Sequence, residues 1–171
     1  GSIFRPHPDW GDKPNVFVSM GITAENVATN YKVAREDQDK FALESNRRAY
    51  EAQKAGKFKE EIIPINAWKY TKARDGKKVR QNVVFDADDG IRWPTTMDDL
   101  AKLKPPFRQG GSVTAGNASQ MTDGAAFTLL MTAEKAKAIG VKPIARLTYY
   151  AVAGCKPEEM GIGPALAIPK V

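Results

Sequence analysis

A change of pattern between residues 35 and 85 most constrains what this chain can fold into. Residues 35–55 carry a cluster of acids near their start (Glu36, Asp37 and Asp39) and Lys54 near their end, the charge order that a helix dipole favours. Gly56 then supplies the residue type that commonly follows a helix end. We therefore predict a long helix with a buried stripe at three-and-four spacing, formed by Phe41, Ala42, Ser45, Ala49 and Ala52.

The residues after this helix follow a strand pattern. Alternating residues up to Lys72 and the segment 79–85 flank Asp75-Gly76, a dipeptide typical of tight hairpin turns. They predict a β-hairpin, and residues 61–65 predict a short strand before it. A chain that joins a long helix to a hairpin belongs to the α/β or α+β class.

The remaining elements continue this alternation. Three further helices are predicted from a capping hydroxyl or a helix breaker: residues 24–31 after Thr23, a helix between Thr96 and Pro105-Pro106, and residues 134–139 between Thr132 and Gly140. Two apolar or β-branched segments, 125–131 and 144–152, predict buried strands. Residues 160–171 begin another element.

Residue counts exclude several kinds of function. The predominantly apolar segment 125–131 has seven residues, one of them a threonine, whereas a membrane-spanning helix needs about 20 predominantly apolar residues. No secretory signal pattern opens the chain. The single cysteine, Cys155, and the single histidine, His7, allow no intrachain disulfide and too few ligands for a zinc site. His7 lies in a Pro-rich loop and is a poor base for a Ser or Cys triad, so the pattern alone indicates no catalytic site.

The positive charge is concentrated in one stretch. The net charge is +6, and between Asn46 and Asn82 eleven Lys and Arg face four Asp and Glu, a balance of +7. Such a stretch suits nucleic acid, a membrane surface or a phosphorylated small ligand, or is simply a solvated face. Because we expect no aromatic residues interleaved on a sheet face and no recognition helix, we expect no nucleic-acid binding.

Four segments resemble the thiolase family, in the family's order and spacing. They are residues 20–28 (MGITAENVA), 35–42 (REDQDKFA), 113–126 (VTAGNASQMTDGAA) and 160–164 (MGIGP). The resemblance runs from about Val16 to the C-terminus and implies an α/β, thiolase-like fold. It divides the chain into the loop domain with a preceding connector and hairpin (1–121), the last strand and helix of the N-terminal core half (122–142), and the start of the C-terminal core half (143–171).

The resemblance implies an acyl-CoA C-acyltransferase. Such enzymes cleave 3-ketoacyl-CoA to acetyl-CoA and a shortened acyl-CoA, or run the reverse condensation, through an acylated cysteine. The hairpin and residues 163–169 look more like the degradative type. The family's reactive cysteine precedes this segment and its histidine and second cysteine follow it, so we expect no catalytic residue here and no activity from this chain alone. Cys155 does not match the nucleophile, and we expect it to be buried and structural.

The resemblance does place coenzyme A contacts in this chain. Ser119 matches a serine whose hydroxyl contacts the pantetheine amide, and Ala115 and Ala118 match small residues that leave room for pantetheine. Arg92 matches an arginine near the adenine and its phosphate, where a guanidinium both stacks and pairs. Three apolar residues match the tunnel wall and the acyl end: Phe107, Met20 and Met160. For each residue, ordinary packing or solvent exposure is the alternative interpretation.

The same resemblance gives the expected partners. CoA and acyl-CoA are substrates, with no tightly bound cofactor, no metal, no nucleic acid and no membrane span. A homo-oligomer, dimer or tetramer, is expected for the parent protein, and the alternative function is an oligomerisation or interaction module. The expected location is the cytoplasm in a bacterium, and the peroxisome or mitochondrial matrix in a eukaryote.

Overall fold

The computed structural model describes residues 11, 13, 15–73 and 76–171. Its helices and strands, in chain order, are α1 (Met20–Asn30), α2 (Arg35–Lys54), β1 (Ile65–Lys72), β2 (Lys78–Phe85), α3 (Met97–Ala101), α4 (Ala133–Ala138) and α5 (Gly163–Ala167). Two 3-10 turns, Pro157–Ile162 and Ile168–Lys170, flank α5. The α/β class expected from the sequence is confirmed.

The described chain forms two compact units. The first unit contains the described residues up to Ala34, Pro105–Thr114 and Met121–Val171, and the second contains the described residues of Arg35–Lys104 and Ala115–Gln120. The predicted domain boundaries after residues 121 and 142 stay predictions. The two units are defined by contacts within this chain, and these contacts do not test boundaries defined for a longer parent protein.

Helix α1 begins earlier than the sequence predicted. Its N-cap is Ser19, and Thr23 lies inside the helix, where its hydroxyl donates to the Met20 carbonyl at 2.7 Å. The predicted cap at Thr23 was therefore wrong, because its hydroxyl bonds back to the preceding turn instead of capping a new helix. The earlier start also carries Glu25 out of the first turn and into a buried position.

Helix α2 has the predicted extent but a different inner face. It runs over Arg35–Lys54, and Gly56 adopts a φ of +72°, the left-handed conformation that ends many helices. The predicted stripe was wrong at Phe41, which is 79% exposed, and at Ser45, which is also exposed. The buried residue of this helix is instead Asp39. Ala42, Ala49 and Ala52 of the predicted stripe are half-buried, so the inner face combines small apolar residues with a buried carboxylate that apolar periodicity does not predict.

The predicted hairpin is confirmed. Strands β1 and β2 pair antiparallel, from Ile65 opposite Phe85 to Lys72 opposite Lys78, and Gly76 has a φ of +80° in the turn. Arg74 and Asp75 lie outside the described residues. The short strand predicted over residues 61–65 was wrong, since the N–H groups of Glu61 and Ile62 donate to the Phe58 carbonyl and form a turn after α2.

Capping chemistry predicted the two short helices well. The Thr96 hydroxyl accepts the Asp99 N–H while the Asp99 carboxylate accepts the Thr96 N–H, which completes a capping box at α3. Helix α3 ends at Ala101, before the Pro105-Pro106 pair expected to end it. Thr132 caps α4, and Gly140 follows it with a φ of +73°.

The two predicted core strands were wrong in this structure. Residues 125–131 and 144–152 form neither helix nor strand, and most of their apolar side chains are exposed, among them Phe127 101%, Leu129 79%, Ile144 104% and Tyr150 83%. A strand requires a hydrogen-bonding neighbour, and the described part of the chain pairs none with either segment.

Buried apolar residues are few among the described ones. They are Leu100, Val113 and Ala136, and four polar residues are buried beside them: Thr23, Glu25, Asp39 and Thr114. Side-chain hydrogen bonds to the backbone therefore contribute much of what fixes the loops. Within the described ranges, no helix has the length and apolarity to cross a membrane, and no cluster of three or more metal-ligating side chains occurs.

Candidate functional site

The segment that leads into the predicted site is fixed by a buried carboxylate. Glu25 is 2% exposed, and its oxygens accept the N–H groups of Ser112 at 3.0 Å and Val113 at 2.8 Å. A Cβ on Gly111 would collide with this carboxylate, so a residue without a side chain is needed there. Val113 and Thr114 follow in buried positions, and the next residue, Ala115, is exposed.

In the second unit, the segment 115–120 is held by a hydrogen bond to Asp39. The Asn117 side-chain amide donates to Asp39 Oδ1 at 2.9 Å, and Arg35 Nε donates to Asp39 Oδ2 at 2.7 Å. The Arg35 guanidinium also donates to the carbonyls of Leu100 and Leu103, at 2.6 and 3.2 Å. The Asp39 charge is thus paired and hydrogen-bonded, as a buried carboxylate requires.

This segment presents small and hydroxyl side chains at an accessible surface. Ser119 and Ala115 are exposed and Ala118 is half-buried. The next residue, Gln120, donates its amide to the Gly90 carbonyl at 2.5 Å. The three predicted pantetheine contacts therefore lie together on one segment, tethered at Asn117 and Gln120.

Arg92 lies on a neighbouring tethered segment of the same unit. Its N–H donates to the side-chain oxygen of Asn46 at 3.0 Å, and Trp93 lies with its ring centroid 6.1 Å from that of Tyr50. The Arg92 side chain is exposed, and its guanidinium has no ion pair among the residues described here. A fixed backbone with an unpaired guanidinium suits an incoming phosphate.

The three apolar site residues belong to the first unit. Phe107 is 41% exposed, and its ring lies against α1 so closely that a Cβ on Gly21 would clash with it. Met20 and Met160 are 58% and 48% exposed. The turn that contains Met160 packs on α1, where the Asn26 amide donates to the Glu158 carbonyl at 3.0 Å.

The end of α1 carries a further polar contact to this turn. The Tyr31 hydroxyl donates to a Glu159 carboxylate oxygen at 3.4 Å. Desolvation, and then the nearby Glu159 charge, raise the pKa of Tyr31 above its ordinary value. Both effects favour the neutral hydroxyl, which is the form that donates this hydrogen bond.

Cys155 is exposed, contrary to the buried packing expected of it. Its thiol makes a long contact of 3.8 Å with the Met160 carbonyl. The turn that follows it, Pro157–Ile162, packs on α1, whereas Cys155 itself precedes this turn and is not part of that packing. His7, the only histidine of the chain, lies outside the described residues.

The expectation about the basic stretch was wrong in one respect. Aromatic residues do interleave with basic ones on one face of the hairpin, where the Arg80 guanidinium lies 4.4 Å from the Trp68 ring and Tyr70 contacts that ring edge-on at 5.3 Å. A concavity of about 390 Å³ is lined by this face and its neighbours. None of the predicted CoA-contacting residues lines this concavity. A two-stranded sheet also encloses a ligand only weakly.

Periodicity missed the polar residues that arrange this site. Glu25, Asp39 and Asn46 each bond a backbone or side chain of a loop, yet an apolar-stripe analysis treats them as solvent-facing. The available signal was spacing, because Asp39, Asn46 and Gln53 are seven residues apart and share a face with Ala42 and Ala49.

Comparisons with known proteins agree with the fold. Residues 14–134 match the family model described as thiolase, N-terminal domain. A 3-ketoacyl-CoA thiolase of Bacillus subtilis is 46% identical over 171 residues, which is 99% of this chain and 44% of that protein. An acetyl-CoA acetyltransferase of Chromobacterium violaceum is 51% identical over 88% of this chain and 36% of that protein.

A solved structure gives the same result. The acetyl-CoA acetyltransferase of Bacillus anthracis is 46% identical, with a TM-score of 0.77 over 90% of this chain and 36% of that one. The chain thus spans less than half the length of each of these three proteins.

Proposed function

This chain belongs to the thiolase family, and from that premise we propose that the protein containing it is an acyl-CoA C-acyltransferase. It cleaves 3-ketoacyl-CoA to acetyl-CoA and a shortened acyl-CoA, or catalyses the reverse condensation. The part of the protein in this chain binds CoA, and the cysteine and histidine that perform the acyl transfer lie elsewhere in the parent protein.

One observation carries the binding role. The tethered segment 115–120 presents Ser119 beside small residues, and a second tethered segment of the same unit presents Arg92, whose guanidinium forms no ion pair with the described residues. A hydroxyl suits the amides of pantetheine, and a guanidinium suits the adenine and its phosphates. Small side chains leave room for a narrow ligand against the backbone.

The remaining contacts extend this assignment. Phe107, Met20 and Met160 provide exposed apolar surface for the acyl chain, and flexible methionines tolerate acyl chains of different length. CoA and acyl-CoA enter and leave as substrates, and no cofactor is held tightly. The parent protein is a homo-oligomer, in the cytoplasm of a bacterium or in an organelle of a eukaryote.

Steady-state kinetics of the full-length protein test this proposal. Thiolysis of a 3-ketoacyl-CoA should be measured for the parent and for Ser119→Ala, which removes one hydrogen bond worth about 0.5–1.5 kcal/mol. Because that bond lies far from the reacting carbon, KM should rise more than kcat falls. Ser45→Ala, an exposed serine on α2, is the matched control. No thiolysis by the parent, or an unchanged KM in Ser119→Ala, would refute the assignment.

An interaction module is the second candidate. The apolar residues exposed in segments 125–131 and 144–152 favour it, because monomers rarely expose such contiguous apolar surface.

The aromatic and basic face of the hairpin makes nucleic-acid binding a further alternative to test. Salt-dependent DNA binding by the full-length protein, lost in Arg80→Ala, would support that alternative.

A further inference from the structure

Four polar residues of α2 lie on one face of the helix. Arg35, Asp39, Asn46 and Gln53 are spaced by four, seven and seven residues, which places them within roughly 40° of one another at about 100° per residue. We call this set the polar row. Ala42 and Ala49 fall on the same face, and their small side chains let the neighbouring loops approach the helix.

The polar row bonds three segments of the second unit: Arg35 bonds the end of α3, Asp39 bonds the segment 115–120, and Asn46 and Gln53 both bond the loop between β2 and α3. Arg35 donates to the carbonyls of Leu100 and Leu103, and Gln53 donates to the carbonyl of Asp88 at 2.8 Å. Asp39 accepts a hydrogen bond from the Asn117 side-chain amide, and Asn46 accepts one from the Arg92 N–H. Asn46 also donates to the Ala42 carbonyl at 3.0 Å, which fixes the orientation of its amide.

We infer that Asp39 and Asn46 are positioning residues for coenzyme A, acting through the segments that carry Ser119 and Arg92. This inference rests on the proposed function. A side chain on a rigid helix that bonds a loop restricts that loop's conformations before the ligand arrives, so less entropy is lost on binding. Neither residue contacts the ligand.

Charge makes the two positions unequal. Asp39 is 2% exposed and paired with Arg35, so its oxygens are committed to Arg35 and Asn117. Asn46 holds Arg92 through one neutral bond at an exposed position. Removing the Asn46 side chain should therefore perturb the structure mildly, and disrupting the Asp39 contact should perturb it strongly. Variants at the two contacts test the same inference independently.

The first experiment uses Asn46→Ala in the full-length protein. Alanine is the best helix former, so α2 keeps its fold. Because the Arg92 segment loses one hydrogen bond, KM for CoA should rise roughly threefold to tenfold, with kcat within about twofold. KM for dephospho-CoA should change less.

Non-additivity separates positioning from general destabilisation. In an Arg92→Ala background, Asn46→Ala should have no further effect on KM, because the group that it positions is gone. Equal effects of Asn46→Ala in both backgrounds would overturn the inference for Asn46.

The second experiment exchanges Asp39 and Asn117. Asn117→Asp places two carboxylates where one amide now donates at 2.9 Å, and their repulsion should raise KM for CoA roughly tenfold. Adding Asp39→Asn restores one donor and one acceptor between the two positions. The double variant should therefore return to within about threefold of the parent.

Controls keep the outcomes separate. Glu36→Gln makes the same chemical change as Asp39→Asn on the exposed face of α2 and should leave KM unchanged. An unchanged KM in Asn117→Asp, or no recovery in the double variant, would overturn the inference while Ser119→Ala still tests the proposed function. Conversely, a raised KM in Asn117→Asp with an unchanged KM in Ser119→Ala would refute the proposed serine contact.

Discussion

The Val113 N–H donates to the Glu25 carboxylate at 2.8 Å, across 88 residues of sequence. The same carboxylate accepts the Ser112 N–H, and the whole side chain is buried. Glu25→Gln replaces one of the two accepting carboxylate oxygens with an amide NH2 group, which is a donor that faces these N–H groups. We expect the free energy of unfolding to fall by about 1–3 kcal/mol, the cost of an unsatisfied buried group.

Chemical denaturation of the full-length protein measures this effect. Glu36→Gln, exposed on α2, is the matched substitution and should change stability by less than about 0.5 kcal/mol. Equal stability of the Glu25→Gln and Glu36→Gln variants would show that the Glu25 bonds contribute nothing to the fold.

Gly21→Ala tests the contact between α1 and Phe107. Alanine in a helix gains about 1 kcal/mol over glycine, but its Cβ would clash with the Phe107 ring. Because the ring is partly exposed, it should move aside instead of unfolding the helix. We expect little change in melting temperature and a severalfold rise in KM for acyl-CoA. A raised melting temperature with an unchanged KM would contradict both the clash and the role of Phe107.

The sequence predicts elements well where the determining contacts are local. The Thr96 and Thr132 caps, and Gly56 and Gly140 after their helices, were all found because caps and left-handed glycines depend on a few neighbouring residues. Thr23 failed for the same local reason, since a hydroxyl inside a helix can bond the preceding turn.

Long-range contacts explain the remaining errors. The burial of Glu25 and Asp39 depends on residues 88 and 78 positions away, which no local pattern encodes. Segments 125–131 and 144–152 have strand composition, but composition supplies no partner strand. The site residues came from family resemblance alone, and their contact with CoA stays a prediction.

On helix α2, the Glu44 carboxylate forms ion pairs with Arg47 at 2.7 Å and with Arg48 at 2.6 Å. Hydrogen bonds from Arg47, and then Arg48, lower the pKa of Glu44 to about 2. Because the folded-state pKa is depressed, the stabilisation is complete above pH 4.5 and is lost as pH falls toward about 2. NMR titration of labelled glutamate carboxyls should show a larger upward shift in Arg47→Gln than in Arg48→Gln. The reverse order would contradict the geometry.

The 171-residue chain by itself should be inactive and should self-associate. The proposed nucleophile and base lie elsewhere in the parent protein, and the exposed side chains of Phe127, Leu129 and Ile144 favour association. Size-exclusion chromatography of the purified, mass-verified chain and an acetoacetyl-CoA cleavage assay measure both properties. Cleavage activity, or a monomer at high concentration, would refute the corresponding half of this prediction.

The role of Arg92 tests the central claim, that this chain carries the CoA-binding surface of an acyltransferase. Affinities of CoA and dephospho-CoA should be measured for the full-length protein and its Arg92→Ala variant at several ionic strengths. If the guanidinium meets the phosphate, the variant should lose roughly tenfold more affinity for CoA than for dephospho-CoA. Its salt dependence should also be flatter. Equal loss for both ligands at every ionic strength would show that Arg92 is structural and would contradict the claim.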